Sequence, residues 1–261
     1  MMFFYRMITS RLLSKFERTR KFRKMYTFPD KAGKHFWIYG SWESWNIEIL
    51  KKHFFPNPEN GVFLDIGANI GCYTVNLADH FQEVWSFEPA PIASAILYAN
   101  IESNRLGNCK IINKGVGKKT GKETLNIIPS NSGMSSITNK HSESVDVEIS
   151  IICLDEFIPE TKKIELVKID IEGFELEALL GAKETLKMND AVIQLELDTT
   201  SDMEKSKKIV SILRNLGYKN FYQRKRGILY RVLRRLYIQD LQIEKFELQN
   251  GKFYQAVWAT K

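Results

Sequence analysis

Residues 62–78 read VFLDIGANIGCYTVNLA, and the fold of the chain is decided there. An apolar run of strand length reaches Asp65, Gly67, Asn69 and Gly71, and a helical pattern begins at once, predicting a helix over 70–82. A buried strand turning sharply into a helix is the first unit of an open α/β sheet, which binds ligands beyond the carboxyl ends of its strands. The glycines permit the tight turn and leave bare backbone for a ligand to lie against. The unpaired amides and positive dipole end of the new helix suit a small carboxylate, while Asp65 can balance an ammonium group. An amino-acid zwitterion fits this pattern better than a pyrophosphate does.

Outward from that turn the punctuation is regular. Apolar runs at 84–89 (VWSFEP), 110–117 (KIINKGVG), 165–173 (ELVKIDIEG) and 191–198 (AVIQLELD) alternate with helical stretches near 90–105, 174–188 and 202–216. Such alternation predicts a mainly parallel sheet covered on both faces. The alternation breaks over 118–160, where TLNIIPS and VDVEISIICLD predict two strands around a polar SNSGMSS tip, an insertion overhanging one edge of the sheet. GKFYQAVWAT, 251–260, suits a closing antiparallel strand, and the aromatic-rich stretch 33–54 reads as a lid or flank.

Glu88 ends the second apolar run, where a carboxylate can accept both hydroxyls of a ribose. A nucleoside joined to an amino acid is S-adenosylmethionine. The nicotinamide dinucleotides fit less well, because their GxGxxG spacing is absent and Asp65 precedes the turn. Val116, ending the third run, is a further cofactor-binding candidate beside Asp65, Gly67, Asn69, Gly71, Glu88 and Asp170. The expected architecture is therefore the Rossmann-like class I methyltransferase fold: seven strands, mainly parallel, an antiparallel closing strand, and helices on both faces.

Four segments, SWESWNIEIL (41–50), FLDIGANIGCYT (63–74), WSFEPAP with ANIESN (85–91 and 99–104) and LVKIDIEGFELEALLGA (166–182), make residues 40–200 resemble the FkbM family of methyltransferases. The last segment is the most specific, with lysine, aspartate, glutamate and glycine on one strand-to-helix junction. The resemblance implies an O-methyltransferase acting on a sugar hydroxyl in a glycan, glycolipid or secondary metabolite. It also implies cofactor roles for Asp65, Gly67, Asn69, Gly71 and Glu88 and an active-site role for Asp170–Glu172. The chain departs from the family at Cys72, commonly aromatic, and near Lys118, commonly acidic.

Methyl transfer to an alcohol requires alignment and removal of a proton. Asp170 and Glu172 close one strand and Glu196 and Asp198 the next, so Asp170, Glu172 and Glu196 are the catalytic candidates. A neighbour-raised carboxylate can act as base, or the group can hold a divalent cation that polarises a diol. The alternative is that Glu172 caps the following helix and Asp170 only bonds the cofactor. His35, His53, His80 and His141 show no paired spacing, and Cys72, Cys109 and Cys153 no zinc pattern. His141, Ser135 and Ser136 lie at the insertion tip, where the serines can meet acceptor hydroxyls.

The formal charge of +7 resides in residues 1–24, where eight basic residues face Glu17 alone. A second block, 219–235, carries seven basic residues and no acid, leaving a mildly acidic body. Phe4, Ile8, Leu12 and Phe16 fall at helical spacing beside arginines, so 1–39 reads as a basic arm before a methyltransferase domain over 40–261. Both blocks suit an anionic membrane surface. Interrupted by Arg6 and Arg11, the N-terminal apolar run does not read as a signal peptide. The scattered cysteines point to a reducing, cytoplasmic compartment, and the basic blocks to peripheral membrane attachment there. RNA methylation and a non-catalytic membrane-docking role are the alternatives; the aromatic residues are not interleaved with the basic runs as a nucleic-acid stacking platform requires.

Overall fold

The computed structural model describes residues 23–28, 33, 43–128, 135–138, 142–225 and 241–261. The arm helix, His35, His141 and most of both basic blocks lie outside these residues. The helix α1 (Ser44–Ile49) continues into a π-turn and leads to β1 (Glu59–Ile66). Then follow α2 (Cys72–Leu77), β2 (Phe81–Phe87), α3 (Pro91–Ser103), β3 (Cys109–Ile112), β4 (Gly115–Val116), β5 (Gly121–Ile127), β6 (Val145–Ile152) and α4 (Leu154–Phe157). The chain continues with β7 (Ile164–Ile169), α5 (Glu175–Leu180), α6 (Lys183–Met188), β8 (Val192–Asp198) and α7 (Met203–Asn215). It ends with β9 (Asn220–Arg224), β10 (Ile243–Lys245) and β11 (Phe253–Thr260).

The main sheet has the order β10-β9-β11-β8-β7-β1-β2-β3. Strands β3, β2, β1, β7 and β8 run parallel, and β11 closes against β8 antiparallel as expected. Seven of its strands form the expected pattern, and the eighth, β10, adds an antiparallel edge to β9. Strand β9 sits inside the second basic block, with Phe221 and Tyr222 packing into the two different core layers, so it carries no alternation to read. The helix expected over 174–188 is two helices, broken where Gly181 comes so close to Gly117 that a Cβ would meet its carbonyl oxygen at 2.1 Å.

Successive strand residues point to opposite faces. Val62, Leu64, Ile66, Val167, Ile169, Ile193 and Leu195 pack with Leu179, Leu186, Ile209 and Leu213 of α5–α7 on one face. Phe63, Val84, Leu166 and Trp258 pack with Ile47, Tyr73 and Leu77 of α1 and α2 on the other. Within that second layer runs a row of register partners: Ser86, Asp65, Lys168, Gln194 and Trp258. Trp258 Nε1 donates to Gln194 Oε1 at 2.9 Å, and Gln194 Nε2 donates to Tyr73 Oη at 2.8 Å.

The insertion is realised as the β5–β6 hairpin with β4 in a second sheet, its tip joined to it by a bridge between Asn126 and Ser136. Leu125, Ile149 and Ile151 fix it against Ala90 and Ala93 at the start of α3.

Replacing Trp258 by Phe leaves Gln194 Oε1 buried without its donor and shrinks the core. We expect a loss of about 2–4 kcal/mol, seen as a lower urea midpoint with an unchanged slope.

Candidate active site

The β1–α2 turn owes its shape to backbone conformation. Gly67 has φ +77°, and a Cβ there would meet the Asp170 carbonyl oxygen at 1.9 Å, so the β1 and β7 ends approach as only glycine allows. Asn69 takes the left-handed region at φ +50°, which its short polar side chain tolerates. Gly71 combines φ +87° with close packing: a Cβ would lie 2.4 Å from Leu97 Cδ1 on α3.

Glu88 stands at the tip of β2, buried, with Oε2 accepting from the Asn69 amide and Oε1 from the Ala90 amide, both at 2.8 Å. Burial raises its pKa to about 7 against these bonds. Asp65 differs from the expectation that it faces a ligand ammonium. It is fully buried and does not line the cavity; its Oδ2 accepts from the Thr74 amide (3.0 Å) and hydroxyl (2.6 Å). Its cation is Lys168, whose Nζ lies 3.4 Å from Asp65 Oδ1 and 3.4 Å from Asp170 Oδ2 and donates to the Gly67 carbonyl at 3.0 Å. Burial alone would depress the Lys168 pKa, but Asp170, Asp65 and Glu43 outweigh it and hold the ammonium charged. The ring of Tyr73 lies beneath, 5.0 Å from Nζ.

Asp170, Glu172 and Glu196, picked from two strand ends, line one cavity with Lys168. Glu172 adopts φ +50°, a strained conformation for its residue type, and Gly173 follows at φ +103°. The Glu172 carbonyl accepts from Ser136 Oγ at 2.6 Å and Thr138 Oγ1 at 3.3 Å, which ties the insertion tip to this junction. Ser136 is thus buried in a structural bond, whereas Ser135 lines the cavity. Burial first, then Asp170, raises Glu172 to about 8; the same causes push Glu196 well up. Glu172 does not cap the following helix, which has no side-chain cap; Glu175, its first residue, accepts from the preceding Gly173 amide and pairs with Lys205. Asp198 turns away to accept from the Thr200 and Ser201 amides. Among the described residues no group of three or more His, Cys, Asp or Glu side chains is placed to hold a metal ion.

Beside Lys168, Glu43 went unrecognised as a site residue in the sequence. Glu43, ahead of α1, is buried at the cavity wall at φ +51°, with Oε2 accepting from Tyr73 Oη at 2.6 Å and Asn46 Nδ2 at 3.1 Å. Burial and Asp170 raise its pKa. Its signal lay in SWESWNIEIL, but a single glutamate in an aromatic stretch gives no spacing to read.

The cavity measures about 920 Å³ and runs from Gly67–Asn69, Glu88 and Val116 to the carboxylates of β7 and β8. Residues 65–219 match the family model described as the methyltransferase FkbM domain. The chain belongs to the FkbM methyltransferase family. Its sheet order and covering helices are those of the class I S-adenosylmethionine-dependent methyltransferase fold. Among curated relatives, Methyltransferase 1 of Beauveria bassiana is 24% identical over 196 residues, covering 63% of this chain and 79% of the relative. The hexuronic acid methyltransferase AglP of Haloferax volcanii is 30% identical over 156 residues, covering 59% and 62%. A crystal structure of an FkbM methyltransferase from Methylobacillus flagellatus KT superposes with a TM-score of 0.50 at 14% identity, over 85% of this chain and 49% of that one. The chain thus spans about half the length of that crystallised relative. Among the described residues no helix is long and apolar enough to cross a membrane.

Lys168→Met strands Asp65, Asp170 and Glu43 without their cation, and we expect it to cost about 3–5 kcal/mol at pH 7. Carboxylates deprived of the cation have folded pKa values above their unfolded ones, so the deficit should shrink as pH falls from 7 toward 5. Denaturant melts across that range check the sign.

Proposed function

We propose that this family member transfers the methyl group of S-adenosylmethionine to a hydroxyl oxygen of a sugar or similar polyol, with Glu172 taking the proton. The observation that carries this reading is that Glu88 and the Asp170–Glu172–Glu196 group line one continuous cavity. The residues present fit the cofactor. Glu88 is a buried carboxylate at the strand tip where a ribose diol can bond, the Gly67–Asn69 turn borders the cavity, and Val116 gives an apolar wall. The carboxylates outnumber their one cation, Lys168, so the far end of the cavity favours a positive group.

Bound S-adenosylmethionine supplies an electrophilic methyl group, whose C–S bond breaks as the acceptor oxygen forms its C–O bond. Glu172 accepts the hydroxyl proton; its value near 8 places it close to the working pH, where a general base is most effective. Glu196, raised further, keeps its own proton and can donate a hydrogen bond to the acceptor. Asp170, anchored to Lys168, holds the β7 end in place beside Gly67. A sugar acceptor draws support from the relative named for hexuronic acid and from the several carboxylates available to accept hydroxyl hydrogen bonds.

Transfer of labelled methyl groups to a panel of sugars, hexuronic acids included, tests this. The rate should rise with pH and level off above about 8, because the base acts in its ionised form. Glu172→Gln should lower kcat by about 10²–10⁴-fold while S-adenosylhomocysteine affinity is kept. Full activity in that variant would remove Glu172 as base.

A further inference from the structure

We propose that the acceptor is amphipathic: it presents its hydroxyl to Glu172 and lays an apolar chain or ring system along the insertion hairpin. This rests on the methyltransferase reading of the same cavity and adds the class of acceptor.

The outer half of the hairpin is apolar on one face of both strands. On β6, Val145, Val147, Ile149 and Ile151 share one face; the register pairs Val147 with Leu125 and Val145 with Ile127, while Ile149 and Ile151 stand opposite Glu123 and Gly121. Asp146 and Glu148 face the other way, Glu148 pairing with Lys122. The inner half of the apolar face packs on Ala90 and Ala93 of α3. Toward the tip the face continues past that cover: Val145 is 55% exposed and borders the cavity with Ile127, Val147 and Ile137.

Two more apolar side chains border the same cavity: Ile92, 66% exposed in the first turn of α3, and Phe253, 50% exposed at the start of β11. These two and Val145 are half of the large apolar side chains that stand exposed among the described residues, and all three border this one cavity. Concentrated exposure of this kind in a concave site marks a surface that a ligand covers.

Two further facts locate the wall on the acceptor side. Every charged lining residue, Glu43, Glu88, Lys168, Asp170, Glu172 and Glu196, lies outside the insertion, whose own contribution is apolar apart from Ser135. The Ser136–Glu172 hydrogen bond and the Asn126–Ser136 bridge then fix that apolar wall beside the proposed base. At about 920 Å³ the cavity is near the top of the range for small-molecule sites and leaves room for an acceptor beside a nucleoside. A free monosaccharide would leave the wall wetted; an alkylated or ring-fused one covers it.

The test is calorimetric, on the full chain saturated with S-adenosylhomocysteine, titrated with methyl β-glucoside and with n-octyl β-glucoside below its micelle concentration. The octyl compound should bind at least tenfold tighter, about 1.4 kcal/mol. Val145→Asp, a change at an exposed position that the fold tolerates, should abolish that gain without altering S-adenosylhomocysteine affinity. Met188→Asp, equally exposed but away from the cavity, should retain it. Equal affinity for the two glucosides, or an octyl preference that survives Val145→Asp, overturns the inference while the methyltransferase reading stands. Failure to bind S-adenosylhomocysteine at all would remove both.

Discussion

Lys168 is a buried ammonium in the middle of a parallel sheet, where an unpaired charge would be very costly. It is tolerable because the sheet register sets it beside Asp65, and the turns after β7 and β1 bring Asp170 and the Gly67 carbonyl within reach. The consequences spread from there. Asp65, held by Lys168 and Thr74, fixes the start of α2; Gly67 closes on Asp170; and Tyr73, over the ammonium, carries the network to Glu43, Gln194 and Trp258. One cation thus ties the turn of β1, the end of β7, the closing strand and the segment ahead of α1 into a single polar layer.

That layer leaves the cavity with more carboxylates than cations. Glu43, Glu172 and Glu196 have folded pKa values raised above their unfolded ones, so their contribution to stability is complete below about 4.5 and is lost as pH rises through the folded values, near 8 for Glu172. The site is therefore held at some expense to stability near neutrality, as expected where electrostatics are arranged for a positively charged ligand. The left-handed conformation of Glu172, braced by Ser136, belongs to the same arrangement.

Much of this was legible in the sequence because strand ends announce themselves. The apolar runs that stop at Glu88, Asp170–Glu172 and Glu196 placed those carboxylates along one sheet edge, and they line one cavity. The partner of Asp65 was not legible: recognising Lys168 requires knowing that β7, about a hundred residues later, inserts beside β1. Glu43 was hidden for a similar reason, since the groups it meets in the site, Tyr73, Lys168 and Asp170, lie far along the chain. The valines and isoleucines of β6 were visible as alternation, but only packing shows that α3 covers the inner half of that face and leaves the outer half to the cavity.

Binding of S-adenosylmethionine in the cavity between Glu88 and the carboxylates at the ends of β7 and β8 is tested most directly by calorimetric titration of the purified chain with S-adenosylmethionine and S-adenosylhomocysteine beside a Glu88→Ala variant. We expect micromolar binding of both by the intact chain and a loss of at least 10-fold in the variant, about 1.4 kcal/mol, with its fold retained. Absence of binding by the folded chain, or undiminished affinity in the variant, would contradict it.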